Sequence, residues 1–346
     1  MLVDIALVGF GNVARRFVRL LDERRALLND RYDLTCRITG IATRRHGVVY
    51  DADGVDAMGA ARTIEAGGTL AAGAADSTVD DSASAIDALA RSTAPQRTLI
   101  ETTTLDIRAG QPAIDHVKRA LQSGCHVITA NKGPAAFAYR ELTDIAQRHR
   151  VSFLFEGAVM DGVPVFNLAR ETLRAVSIDG FRGVVNSTTN HILTALEDGE
   201  PYEDALARMQ QAGIAEADPS LDVDGWDAAA KAAALANVFL DARITPHDVA
   251  RSGIGPNDAG RVRDAAARGA RLRLVASAVR GERPRVALTE LPSTDLLAGL
   301  RGTSNALVLT TDTLDQIAIT QIDGALTHTA YALLSDLLTI RSRHHD

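Results

Sequence analysis

Cysteine and lysine are scarce in this chain, and long apolar runs are missing. Among 346 residues there are two cysteines, Cys36 and Cys125, with no Cys-x-x-Cys pair and no Cys/His cluster. That excludes a disulfide scaffold and a structural zinc site, and it suits a reducing compartment, so a cytoplasmic protein is expected. No apolar run approaches the ~18 residues of a membrane span. The start, Met1-Leu-Val-Asp-Ile-Ala-Leu-Val-Gly9, carries neither a basic n-region nor a cleavage site and reads as a strand. Positive charge is not in excess either: the formal net charge is −7. An acidic chain of this size is a poor fit to nucleic acid or an anionic membrane, and neither partner is expected.

The lysines are only Lys118, Lys132 and Lys231, against 34 arginines. A lysine can give up its proton when its surroundings favour the neutral amine, whereas arginine effectively cannot. The three lysines are therefore the cations to inspect first, with codon bias as the bland alternative. What is present in quantity is core material: 46% of residues are hydrophobic and 23% charged, which excludes disorder. At roughly 150 residues per domain the length suggests two domains.

The first 150 residues alternate strand-like and helix-like segments. Asp4–Val8 is an apolar run, followed by a helix pattern with Phe17, Leu20, Leu21 and Leu28 on one face. Strands are expected at Leu34–Ala42, Arg97–Thr102, His126–Thr129 and Val151–Phe155, with helices at Ser82–Arg91, Pro112–Ser123 and Ala135–His149. Residues 46–80 read as loop with at most short helices. This β-α rhythm is what a parallel, doubly wound sheet requires. After about residue 165 the rhythm changes. Strands are expected within Ala175–Asn186, Leu272–Val279 and Arg285–Leu288, and helices at Ile192–Glu197, Glu203–Ala212 and Trp226–Leu240, giving a mixed α+β second domain. Thr329–Ile340 reads as an apolar-periodic tail helix. The expected division is a dinucleotide-binding domain over 1–150, a second domain over 151–310, and a segment over 311–346 packing back on the first.

Gly9-Phe10-Gly11-Asn12-Val13-Ala14 follows the first strand and opens the first helix. In that context the first glycine permits a tight turn and the second lets backbone approach a pyrophosphate. The small third residue lets helix and strand pack. At the tip of the second strand an NAD site would place a carboxylate for the ribose hydroxyl, but the chain reads Thr43-Arg44-Arg45. Two guanidiniums suit a 2′-phosphate, so NADP(H) is expected in preference to NAD(H). A solvated loop in an arginine-rich chain is the alternative.

Asp227 and Lys231 stand i,i+4 on a predicted helix and share a face. On a surface such a pair is usually a modest solvated ion pair. Here the helix is otherwise alanine and leucine, which suggests a buried or cleft-facing element where a desolvated lysine becomes a usable general acid or base. Lys132 lies just past a parallel strand, at the carboxyl edge where ligands of open α/β sheets bind.

Three segments carry a resemblance: Thr129-Ala-Asn-Lys132-Gly-Pro134, Gly183-Val-Val-Asn186-Ser-Thr-Thr-Asn190-His-Ile-Leu193, and Gly213-Ile-Ala-Glu216 through Asp222, Asp227 and Lys231. With the glycine loop they closely resemble homoserine dehydrogenase, in a short form without a regulatory domain, over most of the chain. The resemblance implies a Rossmann-type α/β domain joined to an α+β substrate and dimerisation domain. It further implies reversible NADPH-dependent reduction of L-aspartate 4-semialdehyde to L-homoserine, in threonine, methionine and isoleucine biosynthesis, by a homodimer. It makes Lys231 the proton donor, with Asp227 and Glu216 holding the substrate and Asp222 behind them. It makes Lys132 a catalytic cation near the nicotinamide and the substrate, with an electrostatic role shared with the proton transfer. Gly213 falls near the cofactor, and Thr102 and Thr103 near the nicotinamide ribose, although strand-end threonines are often merely turn-forming. Gly324 matches a turn approaching the cofactor. Glu156, Val159, Asp161 and Val163 match a loop that binds a sodium-like monovalent cation, with Met160 and Asp161 replacing the usual small residues. Lys118 matches nothing and reads as surface. Two other readings stay open: another amino-acid or sugar dehydrogenase on the same architecture, and a regulator that binds NADP(H) without turnover.

Overall fold

A computed structural model describes residues 1–70, 82–211 and 218–343. The chain forms two compact units. The first comprises Met1–Pro134, Ala138–Phe166 and Ala325–Asp346; the second comprises Ala135–Phe137 and Asn167–Gly324. Among the described residues no helix is long and apolar enough to cross a membrane.

In the first unit six strands form one sheet: β1 (Leu2–Val8), β2 (Thr35–Thr43), β3 (Gly47–Tyr50), β4 (Gln96–Glu101), β5 (His126–Thr129) and β6 (Phe153–Leu154). Their order is β3-β2-β1-β4-β5-β6, parallel throughout except for β3, which runs antiparallel to β2. Parallel neighbours need crossovers, and helices supply them. These are α1 (Asn12–Glu23) with α2 (Arg25–Tyr32), α3 (Ala57–Glu65) with α4 (Ser82–Ala90), α5 (Ala113–Gln122) and α6 (Lys132–His149). Strands covered on both faces carry short apolar stretches, and Ile5–Val8 of β1, Leu99–Ile100 of β4 and Val127–Ile128 of β5 make those strands legible in sequence. The tail helix Leu326–Arg343 buries Ala330, Leu333, Leu334, Leu337 and Ile340 in one core with Phe17, Leu20 and Leu21 of α1.

The differences from the sequence reading have local causes. The helix expected to run from residue 12 past Leu28 is broken at Arg24, inside the charged run Asp22–Arg25, where the backbone leaves helical values. Residues 46–80 hold more order than expected: β3 and α3 lie there, α3 capped by Asp56 accepting from the Gly59 N–H at 2.8 Å. Residues 71–81 lie outside the described residues. The first unit extends to Phe166 rather than ending near 150, because β6 pairs with β5. The second extends to Gly324 rather than 310, because residues 316–321 close a hairpin in its sheet.

That second sheet contains β7 (Ile178–Val184), β8 (Ala250–Arg251), β9 (Ala270–Val279), β10 (Arg285–Pro292), β11 (Asn305–Thr311) and β12 (Gln316–Gln321). The order is β12-β11-β7-β9-β10-β8, antiparallel but for β8 against β10. Its helices are α7 (Ser187–Glu197), α8 (Tyr202–Gln211), α9 (Ser220–Val223), α10 (Trp226–Leu240) and α11 (Asp258–Ala267). The hairpin β11–β12 and helix α11 are not among the expected elements. The end of α7 is fixed by a buried ion pair: Glu197 takes the guanidinium of Arg273, which has no exposed surface. Three further N–H groups of Arg273 donate to the carbonyls of Leu272, Ala298 and Leu300, so the buried charge is paired and hydrogen-bonded.

Candidate active site

In the first unit the glycine turn is built by contact with the end of β4. Gly9 has φ +85°, and a Cβ there would stand 2.6 Å from the Thr102 carbonyl carbon. The turn is pinned by its N–H donating to Ala42 O at 2.9 Å and by the Thr102 hydroxyl donating to Gly9 O at 2.8 Å. Gly11 is different. It precedes α1 with an ordinary φ of −75°, and nothing lies within 4 Å of where its Cβ would be. No acidic residue occupies the first turn of α1 and no side chain caps it. Phe10 and Ala14 are buried, while Gly11 and Asn12 are exposed and Val13 half-buried. An open side, a helix N-terminus and no competing carboxylate fit a dinucleotide pyrophosphate.

Arg44 and Arg45 occupy the turn joining β2 to β3, both exposed and without an ion-pair partner among the described residues. No carboxylate follows β2 in sequence before Asp51.

The carboxyl ends of β4 and β5 are tied by one buried side chain. Glu101 accepts from the Thr103 N–H at 2.9 Å, from the Thr103 hydroxyl, and from the Thr129 hydroxyl at 2.8 Å. Thr129 Oγ1 in turn accepts from the Asn131 N–H at 2.9 Å, and Asn131 Oδ1 accepts from the Gly133 N–H at 2.8 Å, capping α6. Lys132 is the first residue of that helix and is half-buried. The hydroxyls of Thr102 and Thr103, expected near a ribose, thus both donate to protein acceptors. Lys118 pairs with Glu141 at 2.5 Å on the surface.

The loop expected to hold a cation also lies in this unit. Glu156 is buried and its Oε1 accepts from the Phe166 N–H at 2.8 Å. Asp161, at φ +49°, accepts from the Thr329 hydroxyl at 3.1 Å. The Val163 carbonyl accepts from the Val165 N–H at 2.8 Å, and Val159 is buried. Both carboxylates serve as acceptors for protein donors, and the described residues contain no group of three or more His, Cys, Asp or Glu that could hold a metal.

In the second unit Lys231 and Asp227 share a face of α10, Nζ to Oδ2 at 3.0 Å, with side chains only 13% and 15% exposed. Lys231 Nζ also donates to Val185 O at 2.5 Å. Asn186 joins the cluster: its Nδ2 donates to Asp227 Oδ2 at 2.9 Å and to Asp222 Oδ1 at 2.7 Å. Its Oδ1 caps α7 by accepting from the Thr189 N–H at 2.8 Å. Asp222 is held above the usual carboxylate range by burial and by the charge of Asp227, opposed by Asn186 and Lys231. The sequence reading brought Asp222, Asp227 and Lys231 together but left out Asn186. Its signal was the Asn-Ser-Thr-Thr run at a helix start, a capping pattern that says nothing of where the amide N–H groups point. Gly213 and Glu216 lie outside the described residues. Gly324 is the last residue of the second unit, beside Asp323 at φ +53°.

A parallel sheet with an open glycine turn, together with a half-buried lysine–carboxylate cluster in a second unit, defines a dinucleotide-dependent oxidoreductase. The family model described as homoserine dehydrogenase matches residues 164–338, and that of its NAD-binding domain matches residues 9–156. The chain belongs to the homoserine dehydrogenase family, NAD(P)-dependent oxidoreductases acting on a CH–OH group. It is 35% identical over 344 residues to the NAD(+)-dependent homoserine dehydrogenase of Pseudomonas canavaninivorans, covering 97% of this chain and 95% of that one. It is 32% identical to the homoserine dehydrogenase of Methanocaldococcus jannaschii, covering 98% of both. Among solved structures it is similar to a hyperthermophilic archaeal homoserine dehydrogenase in complex with NADPH, with TM-score 0.80 and 27% identity over 99% of this chain and 98% of that one.

Proposed function

We propose that this homoserine dehydrogenase reduces L-aspartate 4-semialdehyde to L-homoserine with NADPH in preference to NADH, and runs the reverse with NADP⁺. The observation that carries the chemistry is the cluster of Lys231, Asp227, Asn186 and Asp222. Lys231 offers a proton to the oxygen that becomes the alkoxide, and Asp227 and Val185 O hold its ammonium in one orientation. Asn186 fixes Asp227 and Asp222 against each other, so that the carboxylates present a rigid acidic face to the substrate's amino end, with Glu216 as a further ligand. When bound, the cofactor supplies the hydride. Gly9, Phe10, Gly11, Asn12 and Val13 form its pyrophosphate turn, and Lys132 adds positive charge at the sheet edge. Gly213 and Gly324 complete the set of expected cofactor contacts.

The preference for the 2′-phosphorylated cofactor rests on Arg44 and Arg45 and on the lack of a carboxylate at the end of β2. The NAD(+)-dependent relative makes it the feature most worth testing. Place in threonine, methionine and isoleucine biosynthesis, a cytoplasmic setting and a homodimer extend from the family resemblance.

The experiment is absorbance at the reduced-nicotinamide band with purified protein, L-homoserine, and NADP⁺ or NAD⁺ in parallel. NADPH formed faster than NADH is the expected result. In Arg44→Ala the KM for NADPH should rise and the gap to NADH narrow. Faster NADH formation, or an equal response of both cofactors to Arg44→Ala, overturns the reading of the arginines and keeps the enzyme.

A further inference from the structure

We infer that Glu101 is a buried counter-charge and positioning residue that makes the balance between oxidised and reduced cofactor depend on pH. The inference rests on the reading that the first unit binds a nicotinamide cofactor at the carboxyl edge of its sheet.

Three observations place Glu101 for that role. It ends β4, in register with Val8 of β1 on one side and Thr129 of β5 on the other, and so lies beside the glycine turn. It has no exposed surface. Its described partners are all donors: the N–H and hydroxyl of Thr103 and the hydroxyl of Thr129. Such a set matches a carboxylate, which only accepts. Burial opposes it and pushes the group up to about 7, with no charged neighbour contributing.

The protonated form does not fit the same bonds. Its O–H needs an acceptor, but the hydroxyls of Thr103 and Thr129 both aim their own hydrogens at Glu101. A hydroxyl must turn away, and the tie that Glu101 makes between Thr103, after β4, and Thr129 of β5 loses one of its donors. Ionisation at Glu101 is therefore linked to the shape of the edge where a nicotinamide would lie.

Titratable groups on the packed elements have partners of their own. Beside β5, Asp336 of the tail helix accepts from the Glu156 N–H at 2.9 Å, and the Glu156 carboxylate accepts from the Phe166 N–H at 2.8 Å. On β1, Asp4 pairs with Arg37 and is in register with Arg97, four residues before Glu101. His126 of β5 is in register with Thr98, and its Nδ1 accepts from the Ser152 N–H. Asp87 of α4 pairs with Arg119 of α5, and Lys118 of α5 with Glu141 of α6. Arg15 of α1 donates to Phe10 O, and Asp106 accepts from the N–H groups of Arg108 and Ala109. Lys132 begins the helix that Asn131 caps, at the same edge of the sheet.

The oxidised nicotinamide ring carries a positive charge that the reduced ring lacks. A carboxylate at this edge favours the oxidised form, and by linkage the oxidised form favours the carboxylate. Affinity for NADP⁺ relative to NADPH should then rise with pH through the neutral range. Because both nucleotides carry the same 2′-phosphate, its own titration cancels in the ratio.

The test is equilibrium binding of NADP⁺ and NADPH to the full chain at pH 6 and pH 8. The ratio of the Kd for NADP⁺ to that for NADPH should fall several-fold from pH 6 to pH 8 in the parent and stay level in Glu101→Gln. A level ratio in the parent, or an unchanged pH response in the variant, overturns the inference while leaving cofactor binding intact. Failure of both nucleotides to bind removes the nucleotide reading and this inference together. Should Glu101→Gln fail to fold, calorimetry of the parent at pH 7 in buffers of different ionisation enthalpy decides. NADP⁺ should release more protons on binding than NADPH, and equal release refutes the inference.

Discussion

Asn186→Asp separates two jobs that one side chain performs. The carbonyl oxygen of Asn186 caps α7, and an aspartate oxygen can accept from the Thr189 N–H equally well, so the cap survives the change. The amide N–H groups do not survive. They donate to Asp222 at 2.7 Å and to Asp227 at 2.9 Å, and hydrogen bonds to charged groups contribute about 1.5–3 kcal/mol each. Asn186 is 4% exposed, so water replaces neither bond easily. If the new carboxyl is protonated, its O–H restores one bond, and the cost is near the lower figure for a single loss. If it is ionised, both bonds are lost and a third carboxylate faces two others.

The pH dependence follows from the sign of the shift. A carboxyl crowded by Asp222 and Asp227 has a folded pKa above the ~3.9 of an unfolded aspartate. It costs little below the unfolded value, and its penalty grows as pH rises towards the folded one. The variant should therefore be destabilised by ~1.5 kcal/mol near pH 5 and by ~3 kcal/mol or more at pH 8, the sum of two lost bonds. Urea unfolding of both proteins at the two pH values gives the difference directly. Asn186→Ala is the contrast: it loses cap and donors together but adds no charge, so its penalty should change less with pH. A penalty for Asn186→Asp below about 1 kcal/mol at pH 8, or one that does not change with pH, would refute the donor role of Asn186.

Three further substitutions follow. Lys231→Ala should lower kcat by roughly 10²–10⁴, the range for a lost general acid, with little change in NADPH Kd; near-normal turnover would remove Lys231 from the chemistry. Gly9→Ala and Gly11→Ala should part company. The first meets Thr102 backbone at 2.6 Å in a left-handed conformation and should lower Tm by several degrees, whereas the second should leave Tm unchanged and weaken NADPH binding, read by nucleotide fluorescence. Equal Tm losses would mean that Gly11 does not border open space, and unchanged NADPH affinity in Gly11→Ala would mean that the cofactor does not approach there.

That contrast shows what a sequence pattern can and cannot carry. Gly9 and Gly11 look alike in the fingerprint, yet one is required by a positive φ against Thr102 and the other by empty space beside an ordinary φ. β1, β4 and β5 are legible because a strand covered on both faces carries an apolar stretch, here Ile5–Val8, Leu99–Ile100 and Val127–Ile128. α10 was legible because its seven alanines and two leucines leave Asp227 and Lys231 as the polar pair at helical spacing. Other elements gave little signal. β12 reads Gln-Ile-Ala-Ile-Thr-Gln at a sheet edge, where polar residues are tolerated, and α11 buries only Val262 and Ala265. The polar network was the hardest to see. Asn186 meets Asp222 and Asp227 from 36 and 41 residues away, and Glu101 meets Thr129 from 28 away. No periodicity encodes such pairs, because they arise only when two strand or helix ends are brought to the same edge. Burial then decides what they can do: the same glutamate on a surface would be a plain carboxylate, and with no exposed area it becomes a group that titrates near neutrality.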